Sequence, residues 1–212
     1  MNGNLVWLAT LATVVLLFGY EAVVAVAQRR RPDRMARSAH AALREDWFSA
    51  VSQHKGSEIL AVQTLRNSLM SATMTASTAM LGLIGTVTLA APSLHASFGG
   101  SAMLPSVTPQ LVLELLLLAL LFASFVCSAM AVRYYNHVGF ISGMPVESEA
   151  RTRWNQAGSA YVRRAGVLYS WGLRHLILVA PILACLLHPM AGPITAVLVV
   201  VVLVGFDRVS TH

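Results

Sequence analysis

The chain has 212 residues, of which 56% are hydrophobic and only 11% are charged. Soluble domains carry about 25% charged residues, so this composition excludes an ordinary soluble protein and indicates one that lies in lipid. Two cysteines exclude a disulfide scaffold. The net charge of +6 would suit nucleic acid. The charges are instead placed beside apolar segments, so we expect no nucleic-acid partner.

Apolar segments predict a single all-α membrane domain, residues 1–212, built as a polytopic helix bundle with about five spans. A helix needs about 20 apolar residues to cross a bilayer. An Ala-x-Ala pattern at 25–27 matches a signal-peptidase site, but the basic cluster follows the apolar run instead of preceding it, so we interpret the run as a span. The predicted spans cover about residues 5–27, 69–91, 111–132, 173–187 and 190–206.

The last two predicted spans come from one apolar region, residues 173–206, that is interrupted at 188–193 by His-Pro-Met-Ala-Gly-Pro. A continuous helix of this length would measure about 51 Å, against roughly 30 Å of hydrocarbon. Two prolines and a glycine favour a turn. We therefore predict a short hairpin, and a single kinked span is the alternative.

Two polar stretches, at about 32–66 and 146–172, repeat apolar residues every four positions and are predicted to be amphipathic helical extensions. A break is expected at 54–57, which contains Gly56. Residues 91–110 hold three prolines and two glycines and are predicted to form a loop.

The basic residues decide the predicted topology. With five spans, all fifteen Lys and Arg side chains fall on one side of the membrane. Basic loops stay cytoplasmic. We therefore expect an inner-membrane protein with its N-terminus outside, its C-terminus in the cytoplasm and its helical extensions in the cytoplasm.

This topology places several polar residues at one depth near the inner membrane edge. An acid at this depth is costly unless it is paired, so we expect Glu21 to pair with Arg133 or Arg66. The alternative is that these side chains extend to the lipid headgroups. The predicted cluster consists of Glu21, Arg66, Asn67, Arg133, Asn136, His137 and Arg174.

Small and hydroxylated residues follow one face of the second span, at steps of three or four. Such a face either packs against another helix or lines a solute path. The candidate pore or packing residues are Ser71, Thr75, Thr78 and Thr86, in line with Asn67 and Gly82.

Glu114 is the one acid in the outer half of the predicted bundle. It is a candidate intramembrane proton or cation site. Alternatively, burial holds the carboxyl neutral, although its place in the first turns of a helix favours the anion.

No metal or cofactor is expected, because the seven histidines form no spacing typical of ligands. Basic residues beside a span attract anionic lipid. The candidates for lipid binding at the cytoplasmic face are Arg29, Arg30, Arg31 and Arg34.

The segments QTLRNS, within 63–68, and YYNHVGF, within 134–140, resemble an uncharacterised family of small multi-span membrane proteins found in bacteria and plants, a domain of unknown function. The resemblance implies a helical membrane protein over nearly the whole chain. It implies no activity and transfers no site.

Three functions remain open from the sequence. The first is an oligomeric channel or transporter for a small ion or solute. The second is a scaffold whose basic cytoplasmic helices bind a partner or anionic lipid. A membrane enzyme is the least favoured, since no catalytic motif is present. Short spans leave much apolar surface uncovered, so we expect a homo-oligomer.

Overall fold

The structure is a computed structural model, which describes residues 3–30, 35–98 and 107–207. Within these ranges the chain forms six helices and no strand. The helices are α1 (Gly3–Arg30), α2 (Ala36–Val51), α3 (Glu58–Phe98), α4 (Pro109–Ser142), α5 (Glu149–Leu187) and α6 (Ala191–Asp207).

Four helices, α1, α3, α4 and α5, are long and apolar enough to cross a membrane. The fifth apolar helix, α6, has 17 residues and is therefore about 26 Å long. The prediction of an all-α polytopic membrane bundle is confirmed. We call the end of the bundle where α1 ends, at Arg30, the basic end, and the end where α1 begins the charge-poor end.

The turn between α5 and α6 reverses the chain at the charge-poor end. The amide of His188 donates to the carbonyl of Ala184, and the amide of Ala191 donates to His188, both at 2.9 Å. Gly192 is buried against Cys185 and Thr13, where an added Cβ would lie only 2.5 Å from Cys185 Cβ. The predicted hairpin is confirmed, and the single kinked span is wrong.

The first hydrophobic core joins α1, α4, α5 and α6. Leu17 of α1 packs with Leu117 and Leu121 of α4 and with Leu178 and Ile182 of α5, and all five are at most 4% exposed. Because lipid is as apolar as these side chains, close packing holds the helices together more than water exclusion does.

The second hydrophobic core lies at the basic end. α3 and α5 have 41 and 39 residues, about 62 and 59 Å of helix, so they extend well beyond a bilayer core of roughly 30 Å. Phe48 of α2 is 1% exposed and packs in this core with Leu65, Val138 and Val162. We call this part, built from α2, the start of α3, the end of α4 and the start of α5, the helical extension.

The helices end only partly where the sequence predicts. Gly56 between α2 and α3 has a φ of 87°, a conformation that L side chains rarely adopt. The predicted loop at 91–110 is wrong over its first part, because α3 continues through Pro92 to Phe98. Proline removes one backbone donor from the helix, and α3 continues past Pro92.

Candidate functional site

A buried ion network at the basic end ties together three helices. Arg174 of α5 is 5% exposed. Its Nε donates to Oε1 of Glu21 on α1 at 2.5 Å. Its Nη1 lies 2.9 Å from Oδ2 and 3.0 Å from Oδ1 of Asp207, the last residue of α6. One guanidinium therefore faces two carboxylates that are both mostly buried.

Tyr20, the residue next to Glu21 on α1, completes this network. Its hydroxyl donates to Asp207 Oδ2 at 2.5 Å, and the Arg174 guanidinium lies 5.0 Å from the centre of its ring. Charge-assisted hydrogen bonds are stronger than neutral ones. The contacts fix the end of α6 against α1 and α5.

An aromatic stack lies beside the ion network. Arg37 of α2 sits 4.2 Å from the ring centre of Trp171, and Trp171 stacks on His175 at 5.5 Å. Burial lowers the pKa of Arg37, and nearby Arg174 lowers it further, while Asp207 and Glu21 oppose this. Arg37 therefore adds a second positive charge next to the two carboxylates.

Some polar atoms of this region have no hydrogen-bond partner within the described residues. They are Arg174 Nη2, His175 Nδ1 and Arg37 Nε. Buried polar groups are normally satisfied by protein or ordered water. In this region, three side-chain nitrogens are therefore left without a hydrogen bond from the described residues.

A second polar site surrounds Glu114 at the charge-poor end. Glu114 is 7% exposed. Its Oε1 accepts from Gln110 at 2.8 Å, and its Oε2 accepts from the Ser93 hydroxyl. No ion pair involving Glu114 occurs among the described residues. The carboxylate is thus held by two neutral donors.

Glu114 lines a cavity of about 630 Å³ that lies between α1, α3, α4 and α5. Thr10 also lines this cavity and is 1% exposed, and its hydroxyl has no partner in the part of the chain that the structure describes. Thr86 and Gln110 contribute further polar groups. The cavity therefore combines one carboxylate with hydroxyl and amide oxygens. These oxygen atoms are suited to bind a cation, and the carboxylate can bind a proton.

The predicted inner-edge cluster is divided by the structure. Glu21 and Arg174 meet in the ion network, so the expected partners of Glu21, Arg133 and Arg66, were wrong. Glu21 lies on α1, which contacts α5 and α6 more than α4 and has no substantial contact with α3. The remaining members are exposed and do not join the network: Arg66, Asn67, Arg133, Asn136 and His137.

The predicted face on α3 is also divided. Thr75 is buried, whereas Ser71 and Thr78 are exposed. The hydroxyls of all three bond to backbone carbonyls four residues earlier, at 2.9 to 3.1 Å. Thr86, which is half-buried, lines the cavity around Glu114. The hydroxyl stripe therefore forms no path inside one chain within the described residues.

Arg151 holds the helical extension together. It is 1% exposed, and its Nη1 donates to the carbonyl of Ile141 in the last turn of α4. Its Nη2 donates to Ser52 at 3.0 Å and its Nε to Asn155 at 2.9 Å. Burial lowers the pKa of Arg151, and Glu58 opposes the shift. Because no ion pair of Arg151 occurs in the part of the chain that the structure describes, the side chain acts as a hydrogen-bonding cap.

Two of the four predicted lipid-binding arginines lie at the end of α1. Arg29 and Arg30 are exposed there. Arg31 and Arg34 lie outside the described residues. Within residues 3–30, 35–98 and 107–207, no group of three His, Cys, Asp or Glu side chains could hold a metal.

Sequence reasoning missed Asp207, Tyr20 and Arg37 as members of the site. Asp207 carries a usable signal, because it is an acid at the end of a very apolar helix. Arg174 is likewise the one Lys or Arg within the last two apolar segments. Their pairing spans 33 residues, and that of Arg174 with Glu21 spans 153, so no local pattern identifies the partners.

Comparison with known proteins gives a family and no activity. No curated protein matches the chain, and no solved structure does. A family model described as a protein of unknown function, DUF599, matches residues 8–212. With nearly the whole chain matched, this membrane protein belongs to the DUF599 family.

Proposed function

We propose that the protein is a membrane transporter that takes up a small cation at Glu114. The observation that carries the proposal is the buried Glu114 carboxylate, which lines a cavity of about 630 Å³ and has no ion-pair partner among the described residues. An ionisable residue within spanning helices is functional by default, since its burial is costly.

The two ends of the bundle support this reading. Leu117 lines the cavity and packs with Leu121 and Ile182 in the first hydrophobic core, which lies next to the cavity. The Arg174 network then joins α1, α5 and α6 at the basic end. A cation bound at Glu114 would meet an apolar barrier and then a closed ion network, so passage requires these helices to separate. That is the behaviour of a carrier rather than an open channel.

The membrane and its orientation are part of the proposal. The basic end carries Arg29, Arg30 and the arginines of the helical extension, and basic segments favour the cytoplasm. The Glu114 cavity then faces the outside of the inner membrane.

The test is cation uptake into proteoliposomes, with methylammonium and rubidium as probes. Glu114→Gln removes the charge and keeps the shape. A lost contact to a charged group costs about 1.5–3 kcal/mol, so uptake should fall by about tenfold or more. Glu147→Gln is the matched control, because its side chain is 72% exposed in the connection between α4 and α5, away from the cavity. Equal uptake by both variants and by the unchanged protein would refute the transporter.

The scaffold is the second candidate, and exposed apolar residues of the helical extension favour it. Ile59 and Leu60 are 74% and 61% exposed, and Leu43 is 64% exposed. A partner protein, or a second copy of the chain along the open face of α3, would cover them. A stoichiometric partner recovered with the unchanged protein, but lost with Ile59→Ser, combined with no cation uptake, would favour the scaffold.

A further inference from the structure

We propose that two clefts meeting at Trp171 bind one anionic phospholipid, with its phosphate at Arg37 and Arg163 and an acyl chain between α1 and α4. This site is separate from the Glu114 cavity and does not depend on the proposed transport. It also differs from the arginines at the end of α1.

The first cleft offers space for an acyl chain. It has a volume of about 440 Å³ and lies between α1, α4 and α5. Its walls are mostly apolar, with Leu17 and Ala22 on α1, Leu116 and Leu120 on α4 and Leu178 on α5. Glu21 is the one acid in its lining, and Arg174 already holds that carboxylate at 2.5 Å.

The second cleft offers donors for a phosphate. It has a volume of about 380 Å³, and its lining includes Arg37, Arg163, Gln28 and Ser38. Arg37 Nε and Gln28 Oε1 have no partner within the described residues. A headgroup phosphate accepts charge-assisted hydrogen bonds from the guanidinium groups of Arg37 and Arg163, which line this cleft.

Trp171 is the residue that both clefts share. Arg37 lies 4.2 Å above its ring, and His175 stacks at 5.5 Å. Tryptophan is enriched where lipid tails meet headgroups. The indole therefore marks the boundary between the tail cleft and the headgroup cleft.

The charges of the headgroup cleft favour an anion. The lining of this cleft includes Arg37, Arg163 and one acid, Glu45, whose Oε1 lies 3.5 Å from Arg163 Nη1. The Arg163 side chain is 61% exposed, so it is free to turn towards a phosphate. A free phosphate ion would use the same donors, but it would leave the adjoining apolar cleft unfilled, which is why we assign a lipid.

The experiment uses the full chain in vesicles. Trp7, Trp47 and Trp154 are each replaced by phenylalanine, so that Trp171 is the one remaining tryptophan. Phosphatidylglycerol brominated in its acyl chains should quench Trp171 more strongly than brominated phosphatidylcholine at the same mole fraction. Each arginine near a membrane surface contributes about 1 kcal/mol, so Arg37→Ala and Arg163→Ala should each weaken the preference for phosphatidylglycerol by about fivefold.

Three controls make the outcome decisive. Glu45→Gln should strengthen the preference, because it releases Arg163, and Arg37→Lys should retain most of it. Arg153→Ala should have no effect, since Arg153 is exposed and lines neither cleft. Equal quenching by both lipids, or an unchanged preference in Arg163→Ala, overturns the proposal. Displacement of the quenching lipid by inorganic phosphate also overturns it, because the site would then bind a free anion.

Discussion

Arg174 and Asp207 join α5 and α6 by two contacts, at 2.9 and 3.0 Å from one guanidinium nitrogen to both carboxylate oxygens. The same guanidinium binds Glu21 of α1. The last helix of the chain is thus fixed at both of its ends, by the Gly192 turn at one end and by Arg174 at the other. The contacts of Arg174 with Asp207 and Glu21 therefore lie between the basic end and the first hydrophobic core.

Removing the centre of the network should destabilise the fold. Arg174→Met leaves Glu21 and Asp207 without a counter-charge in a mostly buried site. Breaking one side of a buried pair costs about 3–5 kcal/mol, and thermal unfolding in detergent should report that loss. Asp207→Asn should cost less, because Glu21 still pairs with Arg174. Arg153→Met, at an exposed position of α5, serves as the control, and equal stability of both methionine variants would contradict the prediction.

A methyl group at Gly158 should detach α2 from α5. An added Cβ there would overlap the ring of Phe48, so Gly158→Ala should lower the free energy of unfolding by about 1–3 kcal/mol. Faster proteolysis of the segment between α2 and α3 should accompany this loss. Gly85→Ala is the opposite control. No atom lies within 4 Å of its added Cβ, and alanine should stabilise that helix by up to about 1 kcal/mol. A neutral Gly158→Ala would mean that α2 does not dock as described.

Two exposed hydroxyls of α3 should be dispensable. Ser71→Ala and Thr78→Val remove groups that bond to the carbonyls of their own helix. Surface changes of this kind usually alter stability by less than about 0.5 kcal/mol. Cation uptake should also be unchanged, in contrast to Glu114→Gln. Loss of cation uptake in a Thr78→Val protein that still assembles would contradict this prediction. It would indicate that the hydroxyl face of α3 lines a cation path between subunits.

Replacing Arg151 should loosen the helical extension alone. Arg151→Met removes the Arg151 donor from Ser52 and Asn155 and leaves the Ile141 carbonyl with the Met144 amide alone. Each buried group that becomes unsatisfied costs about 1–3 kcal/mol. Hydrogen exchange of the Gly143 and Met144 amides, which close the end of α4, should become faster. Exchange within α1 and α6 should stay the same, and uniform acceleration across the chain would contradict this local role.

Local patterns explain which parts of the site could be predicted. Glu114 was identified because a single acid within an apolar run is conspicuous without knowledge of the fold. The Glu21 partner was not, since choosing between Arg66, Arg133 and Arg174 depends on which helix lies beside α1. The hydroxylated residues of α3 do follow one helix face, as their spacing predicts. The spacing does not show whether that face contacts another helix, a cavity or the outside of the bundle.

The sequence by itself determined the helices, the membrane and the hairpin. Apolar runs near 20 residues have few alternatives in lipid, and 34 apolar residues exceed the bilayer thickness. The tertiary structure alone decided that Arg174 lies between Glu21 and Asp207, that Ser71 and Thr78 face outward, and that Thr10 shares a cavity with Glu114. Helix formation depends on neighbours three or four residues away, whereas these contacts depend on how separate helices pack.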